Sequence, residues 1–253
     1  GALAREKFPR HSRLCWARVA APQGVRGRAM ASVVRRMSLS VFFAGLIAAG
    51  AASGWEQPRI VNGVTSHDFP TTGQLLYGYE TVPPGPIDDT NQTSWCSGTL
   101  IGCQTFLTAS HCVEDDTDPT HYRVFLQHAG LFDVVSVTQH PSYTGAGFPE
   151  FDVAVLKLAT PVTSIDPTEV NSSLSPPIGT IGAIAGFGRT GGAAEDYGIK
   201  RAGMVATTDC TGVLSGLGND ELVCWEFLNP LGPAGTDSNT CNGDSGGPLF
   251  ADL

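Results

Sequence analysis

Short apolar runs separated by clusters of turn residues constrain the fold of this chain more than any other feature. Residues 60–253 contain seven runs rich in β-branched and aromatic residues: 73–79, 97–101, 105–108, 122–126, 133–140, 153–158 and 180–187. Gly, Pro, Asn or Asp residues bound each run, as is typical of strands joined by turns. No long helix is indicated, and one short helix is predicted at 207–214. The pattern predicts an all-β sandwich or barrel.

Composition excludes several other classes of protein. With 42% hydrophobic residues and 31 glycines, the chain is neither an acidic disordered segment nor a coiled coil. Residues 1–59 contain ten basic and two acidic residues, a net charge of +8. Residues 60–253 contain five basic and 22 acidic residues, a net charge of −17, and the two parts add to the −9 of the chain. The acidity of the second part argues against nucleic acid as a partner.

The first part has the organisation of an export signal. Residues 39–52 form an uninterrupted apolar run, with two arginines shortly before it and small residues after it. These features are typical of a secretory signal peptide, and the run is shorter than the roughly 20 residues that span a bilayer. We predict a signal peptide at 30–53, a secreted product and no permanent membrane anchor; the alternative is a buried N-terminal helix. Residues 1–29, which precede Met30 and lack periodicity, are interpreted as a non-native leader.

Export places the cysteines in an oxidising compartment, where they become candidates for disulfide bonds. One of the seven, Cys15, lies in the leader, and the other six allow 15 pairings, so spacing alone does not assign them. No His/Cys spacing is typical of a zinc site, and no glycine-rich nucleotide-binding loop is present. Neither a metal nor a cofactor is predicted.

Three segments carry residue types suited to nucleophilic catalysis: 107–112 around His111, 151–158 around Asp152, and 243–248 around Ser245. A serine hydroxyl becomes a good nucleophile when a base removes its proton, and histidine titrates near neutral pH. A carboxylate can fix the imidazole tautomer and stabilise the imidazolium. Singly, each residue has an ordinary structural explanation, such as a turn, a cap or a loop serine. Their joint occurrence, in this order, favours catalysis.

The three segments together, with Arg59-Ile60-Val61-Asn62-Gly63 ahead of them, resemble the chymotrypsin-like (trypsin-fold) serine proteases over residues 60–253. The resemblance implies two antiparallel six-stranded β-barrels. It implies that Ser245 is the nucleophile, His111 the general base and acid, and Asp152 the orienting carboxylate. The backbone N–H groups of Gly243 and Ser245 would form the oxyanion hole.

The pattern Gly243-x-Ser245-x-Gly247 also matches the nucleophile elbow of α/β-hydrolases. In those enzymes the acid and the histidine follow the serine in the sequence. Only eight residues follow Ser245 here, and both His111 and Asp152 precede it. The order of the residues therefore excludes this alternative.

The resemblance also implies activation by cleavage. Residues 54–59 would be a short propeptide, and cleavage after Arg59 would free the α-ammonium group of Ile60. That group would then pair with the Asp244 carboxylate beside the nucleophile. The plain alternative is that Arg59 and Ile60 simply enter a strand.

Two disulfides follow from the same resemblance, Cys96–Cys112 and Cys210–Cys224. Cys241 normally pairs with a cysteine downstream of the nucleophile, which is absent here, and Cys103 has no obvious partner. A Cys103–Cys241 bond stays open as an alternative, although the fold is not expected to bring the two together.

The chain departs from the family pattern after the nucleophile. Family domains continue past this motif by about 35–45 residues, in keeping with two-barrel domains of roughly 200–250 residues. We therefore expect residues 60–253 to form a C-terminally incomplete peptidase domain with an incomplete second barrel. One interpretation is a fragment of a longer gene product; if the chain is instead the natural product, poor folding and little activity are predicted. Asn239, six residues before the nucleophile, would form the base of the specificity pocket. Because trypsin-like cleavage requires Asp there, a nonpolar or small polar preference is predicted.

The sequence is compatible with two functions. The first is a secreted, extracellular, monomeric serine endopeptidase made as a zymogen, acting on protein or peptide substrates and open to protease inhibitors. The second is an inactive homologue or truncated fragment that serves as a binding scaffold. Two N-x-S/T sequons, at Asn91 and Asn171, matter only if the source glycosylates its secreted proteins.

Overall fold

The computed structural model describes residues 60–78, 86–145, 150–172, 175–191, 194–213 and 217–252. Its strands, in chain order, are β1 Val64–Thr65, β2 Thr72–Tyr77, β3 Thr93–Gly102, β4 Thr105–Thr108, β5 Tyr122–Leu126, β6 Gly130–Gln139, β7 Ala154–Leu158, β8 Ile181–Gly186, β9 Arg201–Thr208, β10 Cys224–Trp225 and β11 Leu249–Ala251. Short 3-10 helices occupy Ser110–Cys112 and Pro119–His121. The predicted leader, signal peptide and propeptide lie outside the described residues.

Six strands close into an antiparallel barrel in the order β2-β3-β4-β7-β6-β5, with β5 pairing back to β2. Strand β5 shows why the sequence folds this way, because Tyr122, Val124 and Leu126 are buried while the residues between them are half-exposed. The barrel interior is filled by aromatic and aliphatic side chains, among them Leu100 and Phe106, which are fully buried. Closure removes the free strand edges that an open sheet would expose.

The remaining strands form a second antiparallel sheet in the order β1-β9-β8-β11, with β10 also pairing to β9. Its smaller core contains Ile60, Ile184 and Val205, with Trp225 and Leu249 packed against them. Beside this core lies a cavity of about 970 Å³. The all-β prediction is confirmed, with one closed six-stranded barrel and a second sheet that does not close within the described residues.

The apolar runs located the strands well, with one error at 207–214. No helix forms in the described part of that segment, because Thr207 and Thr208 end strand β9 and Cys210–Val213 makes a turn. The Asp209 carboxylate accepts a hydrogen bond from the backbone N–H of Thr211 at 2.9 Å. Such local side-chain-to-backbone bonds compete with helix formation. Among the described residues, no helix is long and apolar enough to cross a membrane.

Candidate active site

Strands β4 and β7 bring His111 and Asp152 together. The two strands are antiparallel, with Thr108 opposite Ala154, so the end of β4 lies beside the start of β7. His111 sits in the 3-10 turn that follows β4, and Asp152 lies two residues before β7. Nδ1 of His111 lies 2.7 Å from Oδ2 of Asp152, and the backbone N–H of His111 donates to Oδ1 at 2.8 Å. Asp152 therefore holds both the ring and the backbone of the histidine.

Neighbouring contacts fix this turn. The Ser110 hydroxyl donates to the carbonyl oxygen of Val153 at 2.7 Å, and the Gln139 amide donates to the carbonyl of Ser110 at 3.2 Å. Phe151, just before the aspartate, has a left-handed φ of 61° and stacks on His140 with ring centroids 4.8 Å apart. A non-glycine residue in this region is strained and needs its surroundings to hold it. The segment carrying Asp152 is thus tied to the barrel on both sides.

The loop carrying Ser245 packs against the same end of the barrel. The backbone N–H of Ser97 in β3 donates to the Ser245 carbonyl oxygen at 2.9 Å. That oxygen also lies 3.9 Å from Sγ of Cys112, the residue after His111. Ser245 is therefore placed beside the histidine turn, and the His111 side chain remains 42% exposed. Within the described residues, no hydrogen bond joins the Ser245 hydroxyl to the imidazole.

Glycines give the serine loop its shape. Gly243 and Gly246 have φ values of 90° and 78°, which favour glycine. A Cβ on Gly246 would come within 2.3 Å of Oγ1 of Thr108, so the loop backbone packs directly on the end of β4. Among the described residues, the N–H groups of Gly243 and Ser245 donate to no protein acceptor. Two free donors separated by one residue are what an oxyanion hole requires.

The carboxylate of Asp244 points away from the serine into the protein. It is only 4% exposed and accepts hydrogen bonds from the backbone N–H groups of Gly188 at 2.8 Å and Cys241 at 3.0 Å. Burial raises the pKa of Asp244 to about 6, and the two N–H donors partly offset that rise. Ile60 is fully buried in the second core, and both residues line the same cavity.

A buried arginine, Arg201, forms a hydrogen bond with Gly188, which in turn donates to Asp244. The Arg201 side chain is fully buried and donates from Nη1 to the carbonyl oxygens of Gly188 at 2.8 Å and Asp196 at 3.0 Å. Its Nη2 donates to Oδ2 of Asp196 at 3.1 Å. Gly188 therefore accepts from Arg201 through its carbonyl and donates to Asp244 through its N–H. The arginine also lowers the pKa of Asp244 through its charge, although burial outweighs it.

Asn239 lies between the start of the domain and β10. It forms an isolated β-bridge with Val61, and its side-chain oxygen accepts from Trp225 Nε1 at 3.2 Å. The residue is half-buried and carries no charge. Its role as the base of a specificity pocket stays a prediction.

Both disulfides implied by the resemblance are present, Cys96–Cys112 and Cys210–Cys224. Cys103 is also disulfide-bonded, whereas Cys241 is a free, half-buried thiol, so the alternative Cys103–Cys241 bond does not form. Cys96, His111 and Cys112 lie close enough to suggest a metal site. Because the two sulfurs are bonded to each other, they cannot act as thiolate ligands.

Sequence analysis missed two residues of this region, Ser97 and Arg201. A lone serine inside a strand and a lone arginine beginning one carry no motif. For Ser97, the local signal was its position directly after Cys96, a predicted disulfide cysteine. The Ser97 side chain contacts a loop far along the chain, since Ser97 and Gly243 are separated by 146 residues, whereas Arg201 binds Gly188 and Asp196, 13 and 5 residues away.

Comparison with known proteins agrees with this architecture. The family model described as Trypsin matches residues 65–253. Fibrinolytic enzyme isozyme C of Lumbricus rubellus is 33% identical over 183 residues, which cover 62% of this chain and 71% of that protein. Trypsin iota of Drosophila melanogaster is 30% identical over 169 residues, covering 62% of this chain and 64% of that one.

Among solved structures, neuropsin, a serine protease expressed in the limbic system of mouse brain, has the same fold. The TM-score is 0.57 at 23% identity, over 75% of this chain and 82% of neuropsin. Fold and sequence together define the class as the serine endopeptidases, which act on protein substrates. The chain belongs to the trypsin family. The resemblance drawn from the three motifs is confirmed.

Proposed function

We propose that the chain is a secreted serine endopeptidase in which Ser245, His111 and Asp152 form the catalytic triad. The observation that carries this proposal is the double contact of Asp152 with His111, beside a serine loop that offers two free backbone donors. No ionisable group other than histidine is as well suited to act as both base and acid near neutral pH.

The reaction follows from these positions. His111 Nε2 takes the proton from the Ser245 hydroxyl as its oxygen attacks the carbonyl carbon of the substrate. The N–H groups of Gly243 and Ser245 bind the oxyanion of the tetrahedral intermediate. His111 then gives its proton to the leaving amine, and a water molecule, activated by the same histidine, hydrolyses the acyl-enzyme. Asp152 keeps Nδ1 protonated and stabilises the imidazolium throughout.

Activation would proceed by removal of the segments before Ile60: a leader at 1–29, a signal peptide at 30–53 and a propeptide at 54–59. Cleavage after Arg59 would create an α-ammonium group on Ile60, a residue already buried beside the Asp244 cavity. A buried carboxylate whose hydrogen-bond donors among the described residues are two neutral N–H groups gains much from an ammonium partner. Pairing would compensate the buried charge of Asp244 and so stabilise the neighbouring serine loop in its active shape.

Two variants test this scheme, with the unsubstituted chain as reference. Ser245→Ala should be processed and folded yet lack peptide hydrolysis, because it has no nucleophile. Arg59→Ala should be secreted but inactive, because the Ile60 ammonium never forms. Full activity of the Arg59→Ala chain without cleavage would refute the activation step, and hydrolysis by Ser245→Ala would refute the triad.

Substrate preference is proposed from Asn239. A neutral amide at the base of the pocket would favour a nonpolar or small polar side chain before the scissile bond over Lys or Arg. Protein or peptide substrates, and protease inhibitors that imitate them, are the proposed partners of an extracellular monomer. Asn239→Asp should shift cleavage of a peptide library toward sites that follow Lys or Arg. An unchanged cleavage profile would show that Asn239 does not determine specificity.

A second candidate is a non-catalytic scaffold of the same family. It is favoured because, in the part of the chain that the structure describes, no hydrogen bond joins the Ser245 hydroxyl to the imidazole. Catalytic hydrogen bonds are often long in unliganded enzymes, so this observation weighs less than the complete set of residues. A covalent probe of Ser245 separates the two candidates, because a scaffold would not react with it.

A further inference from the structure

The hydroxyl of Ser97 joins the first barrel to the loop that carries Ser245. Ser97 lies in β3 and is fully buried. Its Oγ donates to the carbonyl oxygen of Gly243 at 2.8 Å and accepts from the backbone N–H of Phe187, just after β8, at 2.9 Å. The hydroxyl is therefore satisfied as donor and acceptor, between the two halves of the fold.

Ser97 holds both residues that would supply the oxyanion donors. Its side chain binds the carbonyl of Gly243, and its backbone N–H binds the carbonyl of Ser245 at 2.9 Å. Gly243 is the flexible member of the pair, since glycine has the widest choice of backbone angles. The N–H and C=O of Gly243 lie on either side of one Cα, so anchoring the carbonyl limits the backbone rotations, including the φ observed at 90°, that would reorient the N–H.

The surroundings leave the hydroxyl little freedom to move. The Ser97 carbonyl accepts from the Thr108 hydroxyl at 2.7 Å, which ties the residue to the end of β4. A Cβ built on Gly247 would lie 3.3 Å from Cβ of Ser97, and one on Gly186 would lie 3.2 Å from its Oγ. Close glycine backbones thus enclose the side chain in a single orientation.

We propose that Ser97 is a positioning residue for the oxyanion hole, acting through the carbonyl of Gly243. This inference rests on the proposed function, because the hole has a role only if Ser245 is the nucleophile. Ser97 does not touch the substrate. It aligns the Gly243 N–H with the oxygen that becomes charged in the transition state, where alignment of donors contributes most to rate.

Removing the hydroxyl leaves two buried backbone groups, Gly243 C=O and Phe187 N–H, without their partner. In Ser97→Ala, kcat should fall about tenfold, below the roughly 100-fold cost of losing an oxyanion donor outright. KM should change by less than about twofold, because ground-state contacts are retained. Affinity for a peptide aldehyde, which forms a tetrahedral adduct, should fall in parallel with kcat.

The matched control is Thr99→Val, which also removes a buried hydroxyl from β3. The Thr99 hydroxyl bonds only weakly, at 3.5 Å, to the carbonyl of Thr71 and does not reach the serine loop. Rates are divided by the number of sites titrated to completion with a fluorophosphonate, so misfolded molecules are not counted. Thr99→Val should then keep the kcat, KM and aldehyde affinity of the unsubstituted chain.

The outcomes separate the two proposals. An unchanged kcat in Ser97→Ala, or equal losses in aldehyde affinity and in affinity for a non-reactive substrate analogue, would overturn the positioning role alone. No Ser245-dependent hydrolysis by the processed, unsubstituted chain would overturn both this inference and the proposed function. The expected result is that Ser97→Ala loses kcat and aldehyde affinity in parallel while its KM stays nearly constant. Thr99→Val should keep all three values of the unsubstituted chain.

Discussion

Asp152 binds His111 at two points, with one carboxylate oxygen on the backbone N–H and the other on Nδ1 of the ring. A single contact would leave the ring free to rotate about its hydrogen bond. The second contact fixes the backbone that carries the ring. In the proposed mechanism, this arrangement keeps Nε2 directed outward, where the serine and the substrate lie.

Replacing Asp152→Asn should lower kcat by about 10³–10⁴-fold with little change in stability. The amide can present its NH2 group to Nδ1, which would place the imidazole proton on Nε2 and remove the base that Ser245 needs. Steady-state kinetics on a peptide substrate measure the loss, and thermal unfolding checks the fold. Asp166→Asn, at an exposed aspartate, is the control and should behave as the unsubstituted chain. A kcat within tenfold of that chain for Asp152→Asn would contradict the role of Asp152.

The raised pKa of Asp244 predicts how stability depends on pH before activation. Burial raises this pKa from 3.8 to about 6, so between those values the folded chain binds more protons than the unfolded chain. The contribution of Asp244 to the free energy of unfolding should therefore be fully present below about pH 4 and fall, by on the order of 3 kcal/mol, as pH rises to 6. Urea unfolding of the uncleavable Arg59→Ala chain, with and without Asp244→Asn, measures this fall as the difference between the two chains.

The same titration distinguishes the processed form. A neighbouring Ile60 ammonium would favour the ionised carboxylate and lower the pKa of Asp244. When this pKa falls below 3.8, the stabilisation that Asp244 provides is lost on acidification instead. The double variant Arg59→Ala/Asp244→Asn removes the titrating group, so the difference in free energy of unfolding between the two chains should change between about pH 4 and 6 by the contribution of Asp244. Identical profiles for these two chains would show that Asp244 does not titrate as proposed.

Two arginines with different surroundings give a matched prediction of stability. Arg201 is fully buried and bonded to Gly188 and Asp196, whereas Arg123 pairs with the exposed carboxylates of Asp89 and Asp133. Arg201→Met should lower the free energy of unfolding by about 3 kcal/mol. Arg123→Met should cost less than about 1 kcal/mol. Chemical denaturation at neutral pH measures both, and equal costs would mean that the buried network contributes no more than a surface ion pair.

Strands and motifs could be predicted from the sequence because their signals are local. Strand β5 has the alternating burial that its residues suggest, and the order of His111, Asp152 and Ser245 carries the resemblance to the family. Ser97 could not be found this way, because its importance depends on a loop 146 residues further along the chain. The helix predicted at 207–214 is absent from the described part of that segment because pairing of Thr207 and Thr208 with β10 and the side chain of Asp209 outweighed a weak local preference.

Reactivity of Ser245 toward a fluorophosphonate tests the central claim most directly. The probe reacts with a serine hydroxyl only when a base activates it and donors stabilise the charged adduct. After cleavage following Arg59, mass spectrometry should find one probe on the peptide that contains Ser245. The Ser245→Ala chain should carry none, and the uncleaved Arg59→Ala chain should react far more slowly. A folded, processed chain whose Ser245 stays unmodified would contradict the assignment of this site as a serine-protease active site.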